Sequence, residues 1–128
     1  MTAFESAQLE MIRSARTVRI RTSPGGGRQP HEATIWIVVD DAGRGLVRSV
    51  RGAHGRWYRE LRARPAGTLL VDGAGIPVSA EPVTDEGRID ACSTALRRKY
   101  AGARGSLASM LAADTLDATI ELRPATGE

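Results

Sequence analysis

The sequence predicts a mainly β domain of the α+β class, a small six-stranded antiparallel barrel with two or three peripheral helices. Three observations predict it. Short apolar stretches recur with turn signals between them, and several are joined by intervals too short for a helical crossover. Two longer segments carry apolar residues at helical spacing. No repeat or low-complexity stretch divides the 128 residues, 41% of them hydrophobic, so residues 1–128 are expected to form a single domain around one core. A doubly wound parallel sheet would need a helix between successive strands.

The elements follow in order. Phe4, Leu9, Ile12 and Ala15 mark a short amphipathic helix over residues 4–16. Thr17 to Thr22 alternates, with Val18 and Ile20 opposite Arg19 and Arg21, as a half-buried strand does. The stretch SPGGGRQP breaks it as a loop. Thr34 to Val39 (TIWIVV) is apolar on both faces, which marks a central strand covered on both sides. A turn at DDAGRG leads to the returning strand Leu46 to Arg51. Gly52 and Gly55 flank a break before a helix over Arg56 to Arg64 that Pro65 stops, with Trp57 and Leu61 expected to pack inward. Gly67 to Val71 and Ile76 to Val83 form a hairpin around DGAG. Asp85 to Ala101 is the longest helix, with Ile89, Cys92, Leu96 and Tyr100 on one stripe. A short helical piece, SLASMLAA, precedes a last strand that presents Leu116, Ala118, Ile120 and Leu122 to one side.

Composition excludes several classes of function. No apolar run approaches the ~20 residues that cross a bilayer. The first residues lack the basic and apolar regions of a signal peptide. A cytoplasmic protein without membrane contact is the expectation, and the lone Cys92 agrees with it. The net charge is +3, but it is unevenly placed. Between Arg44 and Arg64 stand seven arginines and one acid, Glu60. Focused charge of this kind attracts anions.

Most candidate chemistries fail on spacing. SPGGGR lacks the Gly-Lys-Ser/Thr ending and following helix of a phosphate loop. His31 and His54 have no ligands at metal spacing. Ser49 and His54 lack the context of a nucleophile and its base, and Cys92 lies on the apolar stripe of its helix. The arginine-rich stretch survives. Arg48 falls among apolar neighbours and so needs a partner, because an unpaired buried guanidinium is costly. Ser49 and Arg51 share the other strand face, at a glycine turn where backbone N–H groups are free. Arg48, Ser49 and Arg51 are therefore the candidate anion site, while Arg56, Arg59 and Arg62 read as a solvated flank.

From TIWIVV through RSVRG to the Gly-bounded hairpin, the chain resembles the split β-barrel superfamily of flavin- and deazaflavin-binding proteins, the pyridoxamine-phosphate-oxidase-like proteins. More narrowly, it resembles an uncharacterised bacterial group within that superfamily. The pattern is a central strand with Trp36, a strand ending in Arg-Ser-x-Arg-Gly, then a helix with Trp57 and a terminal Pro65. It covers roughly residues 17 to 83. An arginine stands where these proteins often use a lysine for the phosphate.

The resemblance implies a homodimer with FMN or the 8-hydroxy-5-deazaflavin coenzyme across the subunit interface. Arg48, Ser49, Arg51 and Gly52 would hold the phosphate. Ile35, Trp36, Ile37 and Val38 would lie against the ring, with Trp57 beside them. The reaction implied is hydride or electron transfer to a small molecule, an oxidoreductase function whose chemistry the cofactor carries. Dimerisation is expected independently, since a small barrel covers only one face of an apolar strand. Two alternatives stand beside this reading. One is a cofactor-free dimeric interaction domain in which Arg48 and Arg51 pair with acids such as Asp72 or Glu81. The other is a weak nucleic-acid-binding module, disfavoured because the chain has only five large aromatic residues and stacking platforms need exposed ones.

Overall fold

The structure, a computed structural model, describes residues 3–125. Helix α1 (Ser6–Ser14) buries Ile12 against the barrel, and the Gln8 side chain accepts a hydrogen bond from the Glu5 backbone N–H at its start. Strand β1 (Val18–Thr22) alternates buried and exposed residues, as its sequence predicts. The remaining strands are β2 (His31–Ile35), β3 (Ile37–Val39), β4 (Gly45–Arg48), β5 (Ala66–Val71), β6 (Ala74–Pro82) and β7 (Thr119–Pro124). They form one antiparallel sheet in the order β2-β1-β5-β6-β7-β4-β3.

There are seven strands rather than the expected six, because the run Thr34 to Val39 breaks at Trp36. Ile35 pairs opposite Val18 at one edge of the sheet, and Ile37 pairs opposite Val47 at the other. The sheet therefore curls until its two edge strands are consecutive in the chain, with Trp36 as the joint. Ile35 and Ile37 both enter the interior with Val18, Ile20, Leu69, Val78, Ile120 and Leu122. Burying this set is the main stabilising term of the fold.

A second apolar cluster lies outside the sheet. Helix α3 (Glu86–Lys99) lays Cys92 and Leu96 over Val38 and Leu46, with Tyr100 and Met110 completing the layer. Asp85 caps the helix by accepting from the Arg88 N–H. Arg88 then reaches Glu81 and Glu121, and Arg123 bridges the same two carboxylates. The second face of β3 is thus covered by the chain's own helix. The expectation that a partner subunit must cover it is corrected: a strand apolar on both faces needs two layers, and α3 is one of them.

Two boundaries and one inward-facing pair also differ from expectation. β7 begins at Thr119, because Ala113–Ala118 forms a 3-10 turn that takes Leu116 out of the strand. β4 ends at Arg48 rather than Arg51, because the Gly52 N–H donates to the Ser49 carbonyl and closes a turn. In helix α2 (Arg56–Ala63) the inward pair is Tyr58 and Leu61, not Trp57 and Leu61. Helix α4 (Arg104–Met110) contributes Met110. Among the described residues, no helix is long and apolar enough to cross a membrane.

Candidate functional site

The four residues expected to hold an anion separate at the end of β4. Arg48 is only 1% exposed. Its Nε donates to Thr119 Oγ1 at 2.9 Å, Nη1 to Ser93 Oγ at 2.9 Å and the Met110 carbonyl at 3.2 Å, and Nη2 to the Ile89 carbonyl at 3.0 Å. Burial lowers its pKa, yet no carboxylate pairs with it among the described residues. Its guanidinium is committed to β7, α3 and the end of α4. Arg48 therefore ties helices to sheet, a role the expected phosphate contact does not describe. The pairing imagined for a cofactor-free domain is also absent there, since Glu81 binds Arg88 and Arg123 instead.

Gly52 is structural as well. Its φ is +61°, and a Cβ there would lie 2.7 Å from the Asp114 carbonyl oxygen. Only glycine tolerates both the left-handed backbone and that approach.

Ser49 and Arg51 face a cavity of about 240 Å³, also lined by Val50, Arg56, Trp57 and His31. Ser49 is 1% exposed. Among the described residues its hydroxyl makes no side-chain bond like those of Ser93, Thr115 and Thr119, which are committed to internal hydrogen bonds. Arg51 is exposed beside it. A second cavity, of about 290 Å³, is lined by Ile35, Trp36, Val50, Trp57 and Met110, with Arg48 at its base. The two share Val50 and Trp57 and so form one groove, aromatic and apolar at one end, polar and cationic at the other. Val50 is 51% exposed and is the exposed large hydrophobic residue of the described chain. Trp36 is held flat on Tyr100, with ring centroids 3.8 Å apart and planes within 3°.

Five of the nine expected residues thus line the groove without serving the core alone: Ile35, Trp36, Ser49, Arg51 and Trp57. Ile37 is fully buried inside the barrel. Val38 lies under α3 at the edge of a different cavity, of about 590 Å³, between α1, the β3–β4 turn and α3. That cavity is larger but has no aromatic side chain in its lining, and its Asp40 is already bound by Arg44 at 2.6 Å. The groove is the better candidate for an aromatic ligand.

Sequence reasoning missed one cluster. Glu60 on α2 accepts from the Thr22 hydroxyl at 2.6 Å and meets His31 Nδ1 at 2.7 Å. A carboxylate is an acceptor only, so Nδ1 carries the proton and Nε2 faces away. Burial pushes the Glu60 carboxyl up, but the bonds from Thr22 and His31 outweigh it and hold it below the ordinary value. A folded-state pKa below the unfolded one stabilises the fold above the unfolded value, and that stability is lost as pH falls through the folded value. Glu60→Gln should therefore cost about 1 kcal/mol at neutral pH. The gap between variant and parent should close as the pH falls through the lowered value of the parent carboxyl, where that carboxyl is protonated too. Urea unfolding of both proteins across this range checks it.

Two kinds of comparison place the chain. The sequence model of a family described as uncharacterized protein conserved in bacteria (DUF2255) matches residues 8–122. The chain belongs to the DUF2255 family. Among solved structures, this DUF2255 chain is similar to the heme storage protein HutZ from Vibrio cholerae, with a TM-score of 0.64 and 16% identity over 98% of this chain and 92% of that one. It is similar to the F420-H2-dependent reductase FDR-A, with a TM-score of 0.62 and 14% identity over 84% and 93%. A candidate pyridoxamine 5'-phosphate oxidase from Listeria innocua matches with a TM-score of 0.59 and 12% identity over 95% and 92%. No curated protein matches the DUF2255 chain by sequence. At these identities the likeness establishes the split-barrel fold, which confirms the resemblance drawn from Trp36 and the Arg-Ser-x-Arg-Gly strand.

Proposed function

We propose that this DUF2255 protein binds a planar heterocyclic cofactor, FMN or the 8-hydroxy-5-deazaflavin coenzyme, in the groove between Trp36 and Trp57. One observation carries the reading: two adjoining cavities share Val50 and Trp57, and together present an aromatic wall at one end and Ser49 with Arg51 at the other. The residues present fit such a group. A flat ring needs large apolar contact, which Trp36, Trp57 and Val50 supply. An anionic tail needs donors that bind it without prior neutralisation, and Arg51 has no carboxylate partner among the described residues. When bound, a flavin or deazaflavin supplies hydride or electron transfer, which makes the protein an oxidoreductase acting on a small molecule. The chain's own residues position the ring, exclude water from one of its faces and fix its charged end. Neighbouring split-barrel proteins that act with F420 or store heme support a cofactor of this shape.

A homodimer belongs to the same reading. Val50 is exposed and the groove is open along Trp57, so a second copy laid over it would cover the apolar surface and enclose the ligand. Sedimentation at micromolar concentration should show a dimer, and a stable monomer would remove this part of the proposal.

The charged end is tested by Arg51→Ala. A charge-assisted contact is worth ~1.5–3 kcal/mol, so cofactor affinity should fall about tenfold to a hundredfold. Arg62 is the control: it donates to the Tyr58 hydroxyl at 2.8 Å and lines neither cavity of the groove. Arg62→Ala should bind like the parent in an absorption titration. Parent-like affinity in Arg51→Ala would take Arg51 out of the site.

A further inference from the structure

The glycine-rich loop and the helix arginines, read from sequence as a flexible loop and a solvated flank, meet in the structure. A cavity of about 480 Å³ opens between Ser23, Pro24 and Arg28 of the loop, His31 at the start of β2, and Arg56, Arg59, Glu60 and Arg64 in and after α2. We propose that this cavity is a second anion site, built to take a phosphate group on a small molecule. It does not depend on a cofactor in the Trp36–Trp57 groove.

The charge pattern is the first support. Arg19, Arg21, Arg44, Arg88, Arg98 and Arg123 each have a carboxylate within ion-pair distance. Arg28, Arg56, Arg59 and Arg64 have none among the described residues, although all four line one concavity. Four like charges gathered around one acid leave a net positive charge, and an anion placed among them relieves the remaining repulsion. Glu60, the single acid present, offsets one of the four and attracts Arg56. Its two oxygens meet Thr22 and His31, so it makes no ion pair with these arginines among the described residues.

Geometry is the second support. Gly25 is buried with φ of +81°, and the Arg64 guanidinium lies where a side chain at this position would project. The loop therefore seats Arg64 against the cavity, and its glycine has a structural reason. His31, held by Glu60 through Nδ1, borders the cavity. Arginine forks bind tetrahedral oxyanions through paired N–H groups. The wall of this cavity has no Phe, Tyr or Trp side chain on which a base could stack, so a phosphorylated small molecule fits it better than a nucleic acid.

Arg59 and Arg64 line this cavity and not the groove, so an Arg59→Ala/Arg64→Ala double variant separates the two sites. The full chain would be titrated calorimetrically with inorganic phosphate and with pyrophosphate. Histidine ring resonances would be followed in parallel, and Arg13→Ala would serve as a control from the cavity beside α1. Both arginines of the double variant are exposed, and melts would confirm that it folds. The expected result is saturable binding in the parent, with the His31 ring signals shifting on titration. Affinity should fall about tenfold or more in the double variant, the equivalent of losing one charge-assisted contact. It should stay within about twofold in Arg13→Ala. The proposal is overturned if neither probe saturates, if the double variant binds like the parent, or if single-stranded oligonucleotides bind more tightly than pyrophosphate.

Discussion

Replacing Arg48 with alanine is expected to destabilise the protein by about 3–5 kcal/mol. Two losses add. The side chain is among the largest fully buried ones, so alanine leaves a cavity between α3 and the sheet. Its removal also leaves Ser93 Oγ and Thr119 Oγ1 without the donor they accept from now. Each buried acceptor left without a donor costs about 1–3 kcal/mol. Arg48→Lys should recover only part of this, because an ammonium has three donors on one atom and no planar fork. Urea unfolding at fixed protein concentration gives the ranking: parent, then lysine, then alanine. An alanine variant within about 1 kcal/mol of the parent would show that the four hydrogen bonds contribute little.

Trp57→Ala is expected to weaken cofactor binding about thirtyfold, corresponding to ~2 kcal/mol for a central aromatic anchor. Trp57 is half-buried, borders both cavities of the groove, and meets Tyr58 edge-on at 6.5 Å between ring centroids. The inward-facing Tyr58 and Leu61 anchor α2 without it, so the stability cost should be smaller, about 1–2 kcal/mol. Trp57→Phe should keep part of the affinity. A binding loss that exceeds the change in stability distinguishes a ligand contact from a packing role. Equal affinity in Trp57→Ala and the parent would move the ring elsewhere.

The regular parts of this fold were legible because alternation is a local signal. Val18 and Ile20 in β1, and Ile120 and Leu122 in β7, each announce their face within a few residues. The break at Trp36 was not legible, since TIWIVV contains no glycine or proline and reads as one strand. Its division follows from closing the sheet on itself, which no local pattern records. The end of β4 was missed for a related reason. LVRSVRG goes on alternating past Arg48, and the turn that stops it depends on Gly52 approaching Asp114, far along the chain.

The site was half legible. An arginine between Leu46 and Val50 had to have partners, and it does. They stand 41 to 71 residues away and are neutral acceptors, so it supports the fold rather than a phosphate. Ser49, Arg51 and the two tryptophans do come together. The His31–Glu60 pair gave no signal, because 29 residues and two unrelated elements separate them. The same holds for the glycine loop, whose meaning lies in the arginines packed beside it.

A visible absorption titration of the purified full chain with FMN, the 8-hydroxy-5-deazaflavin coenzyme and hemin tests the groove most directly. A saturable shift of the visible band is expected with FMN or the deazaflavin, weakened in Arg51→Ala and Trp57→Ala. An unperturbed spectrum with both at saturating concentration, or a response to hemin alone, would contradict a flavin or deazaflavin site between Trp36 and Trp57.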